Sequence, residues 1–323
     1  MLDQEILAEV YSAEIRTRPY ICKTSLEFSP YLSEQTGALV YLKLENQQLS
    51  GSFKFRGALN KILSLCSEES HVPPPVVTAS SGNHAAAVAY VLHKFGGKGV
   101  IYLPETVASA KVESLKPYGI ELRFTGQDCV VCEIAAQEAA NKEGLVYVSP
   151  YSDPQVIGGQ GTIAFELEHQ IDNIDSILVP IGGGGLVSGI GGFFRARGTR
   201  VQIVGCQPEN SKVMTESVSA GKLIELKSDP TLADGTAGGI DAGAITFPIC
   251  QRVVDRFVLL TEAEIANAMR FMIENHYLLL EGAAALSVAA LLKDSKLYCG
   301  QTVLLVVSGK KVSLQAIQSV ISR

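Results

Sequence analysis

No uninterrupted apolar segment of this chain approaches the ~20 residues that a membrane span needs. The first residues, Met1-Leu2-Asp3-Gln4-Glu5-Ile6, lack the basic-then-apolar order of a secretory signal, so a soluble, cytoplasmic protein with no membrane partner is expected. Excess positive charge is missing too. The net charge is −6 and no basic stripe interleaves with aromatics, which argues against nucleic acid as a partner. Clustered cysteines are scarce: of those at positions 22, 66, 129, 132, 206, 250 and 299, only Cys129-Val130-Val131-Cys132 has suggestive spacing. A zinc site wants a second close pair, so no metal site is expected, and the two are read as helical core cysteines. The chain shows no internal repeat and no low-complexity tract.

What is present is apolar bulk and glycine. A chain of 323 residues, 47% hydrophobic with 30 glycines, is enough for one large or two closely joined domains. Short apolar runs alternate with helix-like stretches. Strands are expected at residues 40–44, 76–79, 99–103, 121–124, 146–148, 177–180, 201–204 and 302–307. Several are apolar on successive residues, as parallel strands covered on both faces are. The fold class is therefore α/β, with parallel twisted sheets flanked by helices. Thr261-Glu262-Ala263-Glu264 reads as a capping box that opens a helix toward Asn275. Pro73-Pro74-Pro75 marks a joint, and Tyr151-Ser152-Asp153-Pro154 carries the chain back. The division expected is 1–70 with 151–323 as a large domain and 71–150 as a small one inserted in it.

Four segments carry chemistry. In Ser50-Gly51-Ser52-Phe53-Lys54-Phe55-Arg56-Gly57-Ala58, a lysine stands between two phenylalanines. Apolar neighbours disfavour the ammonium and lower its pKa, and a neutral amine is what Schiff-base chemistry with an aldehyde requires. The plainer alternative is a surface lysine with its stem laid on two rings. Gly182-Gly183-Gly184-Gly185-Leu186, between a strand and a helix, lets backbone N–H groups converge on an anion. Without Lys-Ser or Lys-Thr after it, and without dinucleotide spacing, the segment suits a single phosphate, or else is a turn with tight helix–sheet packing.

Ser80-Ser81-Gly82-Asn83-His84 precedes an alanine-rich helix. Either Ser80, Ser81 and Asn83 cap that helix, or the loop offers its hydroxyls, amide and free N–H groups to a substrate carboxylate. His84 is read as packed or capping rather than as a base. Ser308 follows a strand, where ligands of parallel sheets bind. A desolvated lysine, a phosphate cradle, a carboxylate loop and a strand-end hydroxyl together describe one ligand with an aldehyde, a phosphate and a ring nitrogen: pyridoxal 5′-phosphate.

On those motifs, taken across essentially its whole length, the chain resembles the two-domain fold type II (tryptophan synthase β-like) pyridoxal-phosphate enzymes, specifically the threonine/serine dehydratase and serine racemase family. The resemblance implies Lys54 as Schiff-base lysine and Cα-proton base, with Phe53 packed by the cofactor and Asn83 bonded to its ring hydroxyl. Gly182, Gly183, Gly184, Gly185 and Leu186 hold the phosphate, and Ser308 faces the pyridine nitrogen. It implies substrate contacts from Ser80, Ser81, Gly82, Asn83 and His84, with Ser81 the residue on which racemisation turns. The implied reaction is β-elimination from threonine, serine or a related 3-hydroxy amino acid to a 2-oxo acid and ammonia, with the cofactor phosphate protonating the leaving hydroxyl.

Amino-acid racemisation is the alternative, and a homodimer is implied. Thr231-Leu232-Ala233-Asp234-Gly235-Thr236-Ala237-Gly238-Gly239 is similar, more weakly, to dehydratase-like proteins of hydroxyectoine catabolism. Three departures stand out. Lys310-Lys311 replaces a common Gly-Asn, and Gln207 stands where metal-binding relatives have an acid. The chain leaves no room after Ser308 for a regulatory domain of the biosynthetic deaminases. A non-catalytic amino-acid- or cofactor-binding protein on this scaffold is the contrasting class, and it predicts no turnover.

Overall fold

The computed structural model describes residues 1–67, 70–127 and 129–322, Cys129 by its backbone alone. Ten strands among the described residues gather in two sheets. They are β1 Leu26–Phe28, β2 Leu39–Lys43, β3 Val76–Ala79, β4 Gly99–Leu103, β5 Glu121–Phe124, β6 Val146–Tyr147, β7 Ser176–Pro180, β8 Gln202–Pro208, β9 Arg256–Leu260 and β10 Thr302–Val306. One sheet has the order β1-β2-β10-β7-β8-β9 and the other β5-β4-β3-β6. All neighbours run parallel except β1, an antiparallel edge strand on β2. The register sets Val303 of β10 between Val40 of β2 and Ser176 of β7.

Successive side chains of a strand point to opposite faces, and both faces here are covered. Val303 and Leu305 join Leu178 and Val204 in the core beneath the alanine-rich helix Gly282–Lys293 and the helix Glu262–His276. Leu304 and Val306 join Ile177 and Val179 under the helices Asp3–Thr17, Pro154–Glu168 and Gly185–Ala196. That two-sided burial is why these strands read as continuous apolar runs. The capping box is present as expected. Thr261 N donates to Glu264 Oε2 at 2.8 Å and Glu264 N donates to Thr261 Oγ1 at 3.2 Å, opening a helix that ends at His276.

All eight expected strands form. β1 and β9 went unread, β1 because three residues carry no period and β9 because it runs straight into the capping box. Cys132 is buried in the helix Cys129–Glu143, its thiol 3.2 Å from Thr125 O, while the side chain of Cys129 lies outside the described residues. Among the described residues, no helix is long and apolar enough to cross a membrane, and no His, Cys, Asp and Glu cluster for a metal. Gln207, where metal-binding relatives have an acid, accepts hydrogen bonds from Thr215 N and Oγ1 at 2.8 and 2.7 Å. It thereby closes the start of the helix Val213–Ala220.

Candidate active site

The ends of β3, β7 and β10 meet the start of the helix Lys54–Ser64 around one cavity of about 480 Å³. The loop before that helix is fixed to the residues after β10. Ser52 bridges Gly309, Phe53 N donates to Ser308 O at 3.0 Å and Lys310 N to Gly51 O at 3.1 Å. These bonds bring buried Ser308 beside the lysine, although 254 positions separate them in sequence. Lys54 Nζ donates to Pro150 O at 2.7 Å and lies 5.3 Å from the centre of the Phe53 ring. Burial lowers its pKa to about 8 against the opposing pull of Glu133 and Glu281.

The depressed lysine is thus present, but its sequence rationale needs correction. Phe55 does not flank the amine: it is fully buried on the far side of the helix, edge-on to Tyr90 at 5.3 Å. The helix begins at Lys54, so residues 53 and 55 project to different sides.

Gly182 to Leu186 join β7 to the helix Gly185–Ala196. Gly184 has φ +86°, a left-handed conformation that favours glycine, and no side chain caps the helix start, so its first N–H groups face the cavity unpaired by a cap. At Gly183 a Cβ would intrude on the Tyr151 ring. Both expectations for this segment therefore coexist: it packs tightly and it offers donors.

Ser80, Ser81, Gly82, Asn83 and His84 all line the same cavity. The capping alternative fails here, because Gly82 is the N-cap of the helix Asn83–Phe95 and no side chain caps it. Ser80 Oγ instead accepts from Gly82 N at 3.2 Å, leaving the helix donors available. Asn83 Nδ2 donates to both oxygens of Glu281 at 2.8 Å, while its own Oδ1 is buried without a partner. Burial, with Asp234 adding to it, raises the Glu281 carboxyl to about 7 against the Asn83 hydrogen bond and the nearby Lys311. Lys310-Lys311 thus places a cation beside a buried carboxylate.

His84 Nε2 lies 3.2 Å from Val148 O. A carbonyl only accepts, so Nε2 carries the hydrogen and Nδ1 is a bare, buried acceptor. Burial and the Lys54 charge push its pKa down to about 3, so it is packed and neutral, as the sequence reading held.

With this geometry in view, the likenesses to known proteins have a physical basis. A family model of pyridoxal-phosphate dependent enzymes matches residues 17–309. The chain belongs to that family. It is 38% identical over 319 residues, 98% of this chain and 91% of the relative, to the catabolic L-threonine dehydratase of Staphylococcus aureus strain N315. Its structure is similar to maize serine racemase, with TM-score 0.89 and 32% identity over 98% and 96% of the two chains. It is also similar to the processed threonine deaminase isoform 2 of Solanum lycopersicum, with TM-score 0.90 and 29% identity over 99% and 92%.

The residues fit the family's cofactor, pyridoxal phosphate. An amine with a pKa of about 8, a glycine cradle at a helix start and an unpartnered buried amide oxygen line one cavity. Other cavity residues were missed in the sequence. Asp234, Gly235, Thr236, Ala237, Gly238 and Gly239 line it, although that segment was noted only as a weak likeness. Glu133 and Glu281 had no signal at all, since an isolated glutamate becomes unusual only once folding buries it.

Proposed function

We propose that this enzyme removes water and then ammonia from threonine, serine or a related 3-hydroxy amino acid, giving a 2-oxo acid. The observation that carries the reading is a half-buried lysine amine with a depressed pKa that shares one cavity with the cradle and the Ser80–His84 turn. Bound pyridoxal phosphate supplies an electron sink that acidifies the substrate Cα–H bond. Lys54 would hold the cofactor's aldehyde and then take the Cα proton. Gly182 to Leu186 would bind its phosphate through backbone N–H groups, Asn83 its ring hydroxyl and Ser308 its ring nitrogen, with Phe53 against the ring. The uncapped helix start at Ser80 to His84 would orient the substrate carboxylate.

Racemisation is the second reading, favoured by Ser81, whose hydroxyl lines the cavity without a hydrogen bond among the described residues. Hydroxyectoine-type substrates remain a variant, since residues 234–239 form part of the wall. We read residues 1–70 with 151–323 as the large domain and 71–150 as the small one, supported by the separation of β3–β6 into their own sheet. We also read the enzyme as a cytoplasmic homodimer.

Holoenzyme incubated separately with L-serine and L-threonine is expected to yield 2-oxo acid. Lys54→Ala is expected to lower that rate by roughly 10²–10⁴-fold. Neither 2-oxo acid nor D-enantiomer from either substrate would sink both readings.

A further inference from the structure

Four glycines in a row have no side chains with which to hold a shape, so the peptide planes of Gly182 to Gly185 are set by what packs behind them. Three contacts do this. Gly182 lies on the backbone of Thr236, where a Cβ would stand 3.0 Å from Thr236 Cα. Gly183 rests on the Tyr151 ring. The third contact is a hydrogen bond. Thr246, fully buried, opens the helix Thr246–Val253, and its Oγ1 donates outside that helix to Gly183 O at 2.7 Å.

The same helix packs behind the next residue. A Cβ on Gly184 would meet Cys250 Sγ at 2.7 Å and Thr246 Cβ at 3.2 Å. The loop that leads into Thr246 is in turn tied to the segment under Gly183. Asp241 N donates to the Tyr151 hydroxyl at 2.9 Å, and Ile245 N donates to Ser152 Oγ at 3.0 Å.

A trans peptide unit is planar, so its C=O and the N–H that follows point in opposite directions. Holding Gly183 O on Thr246 therefore turns the Gly184 N–H away from the helix Thr246–Val253. Gly184 is buried and lines the cavity, and among the described residues no acceptor pairs with its N–H. A buried donor without a protein partner is costly until a ligand or water supplies the acceptor. Glycine on both sides of this peptide resists rotation little, so loss of the Thr246 bond releases the plane to turn.

We propose that Thr246 is a positioning residue of the phosphate cradle: its hydroxyl orients the Gly183–Gly184 peptide so that the Gly184 N–H is presented to the cofactor's phosphate. Thr246 does not line the cavity, so it acts through that peptide alone. The role rests on the assignment of Gly182 to Leu186 to the phosphate, and it concerns how the cofactor is held, whichever amino acid is turned over.

The test compares pyridoxal 5′-phosphate with pyridoxal, which keeps the aldehyde and lacks the phosphate. Full-length protein is stripped of cofactor and titrated with each, followed by absorbance. Valine keeps the shape of threonine and deletes the donor. Thr246→Val is expected to bind pyridoxal phosphate roughly 10- to 100-fold more weakly, and to bind pyridoxal as the wild type does. Thr246→Ser restores the hydroxyl and is expected to bind pyridoxal phosphate within about 3-fold of the wild type.

Equal weakening toward both ligands, the mark of a merely structural role, overturns the proposal. So does unchanged affinity of Thr246→Val for pyridoxal phosphate, or a serine variant no better than the valine one. Wild-type protein that binds both ligands equally well would instead overturn the phosphate assignment of the cradle itself. In the loaded proteins, the ³¹P resonance of the bound cofactor is expected to shift in Thr246→Val and to return to its wild-type position in Thr246→Ser; a wild-type resonance in the valine variant also counts against the role. Should Thr246→Val not fold, Thr246→Ala removes the same donor without surplus volume and carries the same expectations.

Discussion

Lys54 and Arg56 stand two residues apart in the first turn of one helix, both withdrawn from water, and they end in opposite electrostatic states. Arg56 is fully buried and forks onto two carboxylates. It donates to Glu45 at 2.7 and 2.8 Å and to Glu166 at 2.9 Å through both terminal nitrogens. Lys43 joins from β2, donating to Glu166 at 2.6 Å. Burial opposes the Arg56 charge, yet the two carboxylates raise its pKa above the usual value. Burial would raise Glu166 as well, but Arg56 and Lys43 hold it at about 2.

Lys54 has a carbonyl and a ring for company, and its pKa falls to about 8. The same desolvation thus gives a permanent charge where partners are complete and a titrating amine where they are not. The paired cluster holds the helix, and the incomplete set beside it is left for chemistry.

The comparison breaks most visibly at Arg56. Arg56→Met leaves buried Glu45 without its ion-pair partner and buried Glu166 with only Lys43 and the half-exposed Arg18 for cations, and urea unfolding is expected to show a loss of about 3–5 kcal/mol. A loss below about 1 kcal/mol would mean that the cluster does not hold the helix.

Glu281 offers the next test, through pH. Its pKa is raised by folding from 4.5 to about 7, so the folded state binds the proton more tightly than the unfolded chain. Stability from that proton is full below pH 4.5 and lost as pH rises through 7, by ~3 kcal/mol in all. Glu281→Gln is therefore expected to gain stability relative to wild type at pH 8 but not at pH 4. Parallel pH profiles for the two proteins would contradict the buried, incompletely paired state. The smallest effect sharpens the contrast from outside. Glu113 and Lys116 pair at 2.5 Å in full view of solvent, and Glu113→Gln is expected to change stability by less than about 0.5 kcal/mol.

How much of this was legible depended on range. β3, β4, β7 and β10 could be read because each buries consecutive apolar residues, a pattern written locally. The glycine run and the Ser80–His84 turn could be read because backbone donors at a helix start need particular residues in a row. Glu166 and Glu133 could not be read, because nothing beside them in sequence announces them. Glu166 meets Arg56 across 110 positions, and Glu133 becomes a neutral-pH acid only when Tyr151, Asp241 and Lys54 close around it. Phe55 shows the reverse error, a neighbour in sequence that the helix turns away.

The place of β10 in the large sheet has a consequence for assembly. It lies between β2 and β7, and its end holds the loop that carries Lys54. A nascent chain that has not yet emitted Thr302–Val306 leaves both neighbours with open hydrogen-bonding edges and the lysine loop without its anchor. Local burial around Lys54 is therefore conditional on a strand about 250 positions downstream being threaded between β2 and β7.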